Sequence, residues 1–203
     1  NVTFEFFTNN TCAGPAAATS GPVALNGAGQ ADATGFAQGP LNAGFYGFKA
    51  TYAGDSTYIG SVGACEPLQV VDANIQLTPP NATNQIGTPH TLTCHINVND
   101  GSGFVNAPAG TTCTVTIVSG PGTPVSQNCQ TVGATGSCQV TISSNQTGNS
   151  VIQASTTVDV AGVSLHRQTG DSNPGDSPNA NKQWVNAAIV IAPNATNEVG
   201  APH

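Results

Sequence analysis

The sequence predicts an all-β chain of two tandem β-sandwiches braced by disulfides, and three observations carry that reading. Apolar residues recur with a two-residue period between clusters of Gly, Pro, Asn, Asp and Ser, whereas helical periodicity is almost absent. Six cysteines and no methionine occur in 203 residues. That usage suits an oxidising compartment, where cystines persist and brace small cores. Finally, an eleven-residue segment near the middle returns at the C-terminal end, one sandwich length later.

The elements follow in order. Val2, Phe4 and Phe6 alternate with Thr3, Glu5 and Phe7, so three large apolar side chains share one sheet face. Tyr46, Phe48, Ala50 and Tyr52 form a second such face, opposite Gly47, Lys49 and Thr51. Ala53-Gly54-Asp55-Ser56 turns the chain, Leu68 and Val70 make a closing strand, and the first module ends near Asp72. The second module spans 73–186, with strands expected at 74–78, 91–98, 112–118, 137–143, 150–158 and 183–191. Turn formers mark loops at 99–103, 120–124 and 170–179, the last being the longest and the one expected to be most mobile.

The repeat fixes the register of the modules. Pro80-Asn81-Ala82-Thr83-Asn84-Gln85-Ile86-Gly87-Thr88-Pro89-His90 returns as Pro193-Asn194-Ala195-Thr196-Asn197-Glu198-Val199-Gly200-Ala201-Pro202-His203. Residues 187–203 therefore read as the first strand of a following module, or as a donor strand offered to a neighbour. Residues 1–72 begin inside a strong strand, so the first sandwich is expected to lack its first strand or strands and to expose an edge and part of its core. The sequence reads as an excerpt from an array.

Residues 73–203 resemble the immunoglobulin-like (Ig-like) repeat of the invasin and intimin group. The likeness lies in Asn81 to His90, Thr91-Leu92-Thr93, Pro108-Ala109-Gly110 before Thr114-Val115-Thr116, and Asn181-Lys182-Gln183-Trp184-Val185. Residues 1–72 are similar to a second bacterial Ig-like repeat type, through Val2-Thr3-Phe4, Asn10-Thr11-Cys12 and the run from Tyr46 to Asp55. The resemblance implies tandem Ig-like sandwiches of the kind found in stalks, adhesins and cell-surface filaments. Sandwiches carry many unrelated roles, so it implies fold more narrowly than function. The second module also holds more cysteines than invasin-type repeats usually have.

Separated by module, the thiols leave Cys12 to pair with Cys65, and three arrangements for Cys94, Cys113, Cys129 and Cys138. The favoured one joins Cys94 to Cys113 and lets Cys129 and Cys138, which flank a Gly/Thr-rich turn, staple a hairpin. All six are expected to be structural. Zinc ligation is disfavoured, because no Cys-x-x-Cys occurs.

Motifs that might carry chemistry are weak. Gly-Asp-Ser, the tripeptide around the nucleophile of chymotrypsin-like proteases, occurs at Gly54-Asp55-Ser56, Gly170-Asp171-Ser172 and Gly175-Asp176-Ser177. Three copies without the following glycines point to turns rather than to a triad. His90 and His203 hold equivalent repeat positions, which favours a structural role, and His95 and His166 have no companion motif. Asp171 with Asp176, and Asn97, Asn99 and Asp100, offer oxygens for Ca²⁺ but lack EF-hand spacing, and exposed Asx turns explain them as well. Gly27-Ala28-Gly29 has no βαβ context for a dinucleotide. Sequons at Asn1, Asn9, Asn81, Asn145 and Asn194 are about as frequent as chance gives. No catalytic residue, metal or cofactor is expected.

Composition excludes two further classes. Only 6% of residues are charged and the net charge is −7, with Lys49, Arg167 and Lys182 as the sole cations, so no basic surface exists to displace counterions from a phosphate backbone. No stretch reaches the roughly 20 apolar residues of a membrane helix. The expected function is structural: serial modules forming an extracellular stalk or filament, partnered by adjacent modules or neighbouring copies and polymerised in the stronger form by strand complementation. The alternative is an adhesin-type module gripping a glycan or host protein through its loops. Trp184, Tyr46 and Tyr52 lie within strand patterns, which leaves few aromatic platforms for sugars.

Overall fold

The computed structural model describes residues 1–192, 194 and 196–202. Pro193, Ala195 and His203, which belong to the second copy of the repeat, lie outside the described residues. The chain is all-β. Its strands are β1 (Val2–Phe7), β2 (Ala18–Thr19), β3 (Gly44–Tyr52), β4 (Ser61–Val62), β5 (Glu66–Val70), β6 (Asp72–Thr78), β7 (Asn81–Gln85), β8 (His90–Asn99), β9 (Phe104–Asn106), β10 (Thr112–Ser119), β11 (Ser126–Gln130), β12 (Ser137–Ile142), β13 (Gly148–Val160), β14 (Val163–Gln168) and β15 (Ala180–Val185).

In the first unit β1 lies between β2 and β3, and β3 carries β4 and β5 on its other side, all antiparallel. Phe4 stands opposite Ala50 and Phe6 opposite Phe48, so the two alternating apolar sets meet on one face. There Phe6 stacks on Tyr46 with centroids 5.5 Å apart and tilts against Phe48 at 5.1 Å. Here the structure corrects the expectation for residues 1–72: they form one five-stranded sheet rather than two facing sheets. The stretch between β2 and β3 is rich in Gly, Ala, Asn and Pro and has no alternation, so it supplies no second sheet. Instead it folds over the apolar face through a short 3-10 turn, Thr34–Phe36.

The second unit is a two-layer sandwich. One sheet runs β11-β10-β13-β15-β7, with β14 also on β13; the other runs β12-β8-β6, with β9 also on β8. Every second residue turns inward. Ile75, Leu77, Leu92 and Ile96 from one sheet pack against Val115, Ile117, Ile152, Ala154 and Trp184 from the other.

Three details differ from expectation. The strand expected at 183–191 is β15 and stops at Val185, and among the described residues from 186 onward no strand forms. The polar strand β7 lies inside the repeat and pairs in parallel with β15. The 170–179 loop, expected to be mobile, lines the open edge of β6. Asp176 Oδ1 accepts the Ile75 N–H at 2.7 Å, the Ser177 N–H donates to Ile75 O at 3.0 Å, and Ser177 Oγ accepts the Leu77 N–H at 3.1 Å.

The two units are joined closely. Val71 alone separates β5 from β6. Gln69 Nε2 donates to Asp100 O at 2.6 Å across the junction, and within the second unit Arg167 holds the start of β6 through Asp72 Oδ1 at 2.6 Å and Ala73 O at 2.7 Å.

Candidate functional site

Cys12 is bonded to Cys65, Cys94 to Cys113 and Cys129 to Cys138. Cys12–Cys65 lies across β3 at Gly47, where a Cβ would come within 2.8 Å of Cys12 Sγ and 2.9 Å of Cys65 Sγ. Cys94 and Cys113 are fully buried and tie β8 to β10 through the core. Cys129–Cys138 does not staple a hairpin: β11 and β12 belong to different sheets, so this bridge clamps the sandwich at its side.

Two surfaces are left unfinished. In the first unit the covering loop leaves an apolar cleft of about 390 Å³ lined by Phe4, Phe36, Phe48, Ala50 and Ala64. Beside it, β4 and β5 pair only with β3, so their outer edge has no strand partner among the described residues. The second is the tail. Ile189, Val190, Ile191 and Val199 are 92%, 83%, 93% and 102% exposed. In the register of the repeat, Val190 corresponds to Leu77 of β6, which is 1% exposed.

The motifs with potential chemistry are committed to turns and networks. Asp55 Oδ1 accepts the Thr57 and Tyr58 N–H groups while Oδ2 accepts the Tyr52 hydroxyl at 2.6 Å. These bonds hold the Asp55 carboxyl below its usual range, the Tyr52 bond contributing most. Asp171 Oδ1 accepts the Asn173 N–H, another Asx turn. Asn99 Oδ1 takes the N–H groups of Gly101 and Gly103, and Asn97 bridges His95 and Asn74. His95 is held on its other nitrogen by Ser137 Oγ at 2.7 Å. Among the described residues no group of three or more His, Cys, Asp or Glu side chains is arranged to hold a metal ion. Asp176 differs from the other acids: its Oδ2 is buried without a partner, and burial pushes its pKa up to about 6.

Lys182 belongs to none of these motifs. Ala180, Lys182 and Trp184 alternate inward along β15, and Lys182 is only 1% exposed. Its Nζ donates to Asn84 Oδ1 and sits 5.2 Å from the Trp184 ring centroid. Neither ion pair among the described residues involves it. Burial lowers its pKa. Asn84 Nδ2 donates to Pro89 O at 3.3 Å, and the pKa of neighbouring His90 is lowered by burial and then by the Lys182 charge. Trp184 itself is buried, with its indole N–H on Ser150 Oγ at 3.1 Å, so it offers no stacking platform.

No family model matches the chain, and no curated protein matches it. Among solved structures it is similar to the crystal structure of the N-terminal four Ig domains of Dscam1 isoform 4.44, at 12% identity and a TM-score of 0.26. That match covers 91% of this chain and 38% of the other, so the chain spans well under half of that protein's length. The fold class rests on the sheets themselves, and no family assignment follows.

Proposed function

We propose that the chain is a structural segment of an extracellular filament or stalk, in which Ig-like units follow one another and the tail of one unit completes the next. The supporting observation is the exposed run Ile189, Val190 and Ile191. It carries the sequence position of β6, a strand whose inward side chains are buried in the complete sandwich. In that register Val190 takes the inward position of Leu77, while Ile189 and Ile191 take the outward positions of Gln76 and Thr78. Burying the Val190 side chain favours association by about 1.5–3 kcal/mol, so the run has a drive to pair. In the stronger form of the proposal the acceptor is a neighbouring copy, whose first unit offers an apolar cleft and an unpaired strand edge. A contact between two different surfaces does not close on itself, and repeated copies then extend into a fibre. Three disulfides and few charges suit a polymer outside the cell.

Electron microscopy and sedimentation velocity of the native material test this. Extended rods with a regular axial repeat are expected. Compact particles of single-chain mass at every concentration would overturn the proposal.

A further inference from the structure

A buried ammonium without a counter-charge is costly, and Lys182 is a lysine of that kind touching a carboxamide. We propose that Lys182 Nζ and Asn84 Cγ are joined by an amide bond, which fastens β15 covalently to β7. The two strands are parallel neighbours, with Lys182 opposite Ala82 and Trp184 opposite Asn84, so the lysine side chain reaches along the strand to the amide. The chain's own repeat adds a second observation. Asn84, Pro89 and His90 recur as Asn197, Pro202 and His203, while Gln85, Ile86 and Thr88 change. Pro80 to Thr83 and Gly87 recur too, so eight of the eleven positions are kept, and the amide, the proline whose carbonyl holds it and the histidine are among them.

The reaction balances without any oxidant, reductant or co-reactant. The neutral Lys182 amine attacks Asn84 Cγ, a new C–Nζ bond forms, the Cγ–Nδ2 bond breaks, and ammonia leaves. The proton given up by Nζ passes to the departing Nδ2, with the His90 imidazole as carrier. Burial lowers the Lys182 pKa and so favours the neutral amine, and the Pro89 carbonyl orients the amide by holding its Nδ2. The product removes the uncompensated charge. It also ties the sandwich's second strand to its last, so that tension along a filament runs through a covalent bond instead of the β7–β15 hydrogen bonds.

Mass spectrometry tests the bond on a single reduced chain, apart from any assembly. The expected mass is about 17 Da below that of the sequence, the loss of one ammonia. Trypsin has sites only after Lys49, Arg167 and Lys182. It is expected to spare Lys182 and to leave peptide 50–167 linked to peptide 168–203. Lys182→Arg and Asn84→Ala should each return the chain to its sequence mass, and His90→Ala should give a mixture. A chain of unaltered mass that trypsin cleaves after Lys182 overturns the proposal. So does a mass gain of about 1 Da, which would mean deamidation. If the variants fail to fold, the unsubstituted chain alone still decides.

Discussion

Cys94 and Cys138 stand directly opposite one another on β8 and β12, yet each is bonded to a cysteine of the other sheet. Cys113 and Cys129 face each other in the same way on β10 and β11. The four sulfurs thus mark the corners of a rectangle whose bonded sides cross the sandwich. Opposed residues in antiparallel strands have Cα atoms about 4.5–5.5 Å apart, inside the range a disulfide spans. Replacing Cys113 by Ala therefore leaves a Cys94 thiol beside an existing bridge, and thiol exchange has a short path to Cys94–Cys138 with Cys129 released. Disulfide mapping of Cys113→Ala is expected to find that new bridge. A free Cys94 beside an intact Cys129–Cys138 would refute it.

Gly47 is required by contact rather than by backbone freedom. A Cβ there would lie 2.8 Å from Asn9 O and from Cys12 Sγ, with Cys65 Sγ at 2.9 Å. None of these atoms ends a flexible side chain, since the disulfide fixes both sulfurs. Gly47→Ala is expected to cost on the order of 2 kcal/mol, as overpacking does in a tight site. Thermal unfolding should fall accordingly, and thiol titration should show partial loss of Cys12–Cys65.

Much of this was legible in the residues, and the reasons for the rest are physical. The faces built on Phe4, Phe6, Phe48 and Ala50 follow from alternation, because a strand buried on one face writes its phase into the sequence. β7 carries no such phase: apart from Ala82 its residues are polar, and only pairing with β15 makes them a strand. The first unit reads as a sandwich from its strong strands, but a second sheet needs further alternating segments, and the Gly- and Ala-rich cover has none. Cys129 and Cys138 sit nine residues apart, which suggests a hairpin; their assignment to different sheets depends on long-range pairing. Lys182 is the instructive case. It falls in phase between Ala180 and Trp184, and that phase, rather than its charge, foretells its burial.

Asp176 sets a pH dependence of unusual sign. Its folded pKa of about 6 lies above the ordinary 3.8, because burial penalises the carboxylate and the Asp171 charge adds to that. The folded chain therefore holds this proton more tightly than the unfolded chain. The stabilising contribution is fully present below about pH 4 and is lost as pH rises through 6. Asp176→Asn keeps an oxygen for the Ile75 N–H and removes the charge. Its melting temperature is expected to exceed the parent's at pH 7, by the equivalent of on the order of 1 kcal/mol after allowing for solvent screening. The two should converge near pH 4. Parallel melting curves across that range would show that Asp176 does not titrate as described.

The tail offers the sharpest separation of folding from assembly. Ile189 and Val190 are almost wholly exposed, so nothing in the chain's own sandwich depends on them. Changing both to Asp should leave the melting temperature where it was. If the tail seats in a neighbouring unit as β6 does in its own, the same change removes the inward Val190 side chain and puts a charge in its place that would need desolvation. The loss of at least about 1.5–3 kcal/mol corresponds to association weakened at least about 10-fold. Sedimentation velocity of the parent and the double variant at matched concentrations reads this directly. Association that persists unchanged in the variant would place the contact elsewhere, on the edge of β4 and β5 or on the cleft alone, and would exclude the tail as its donor.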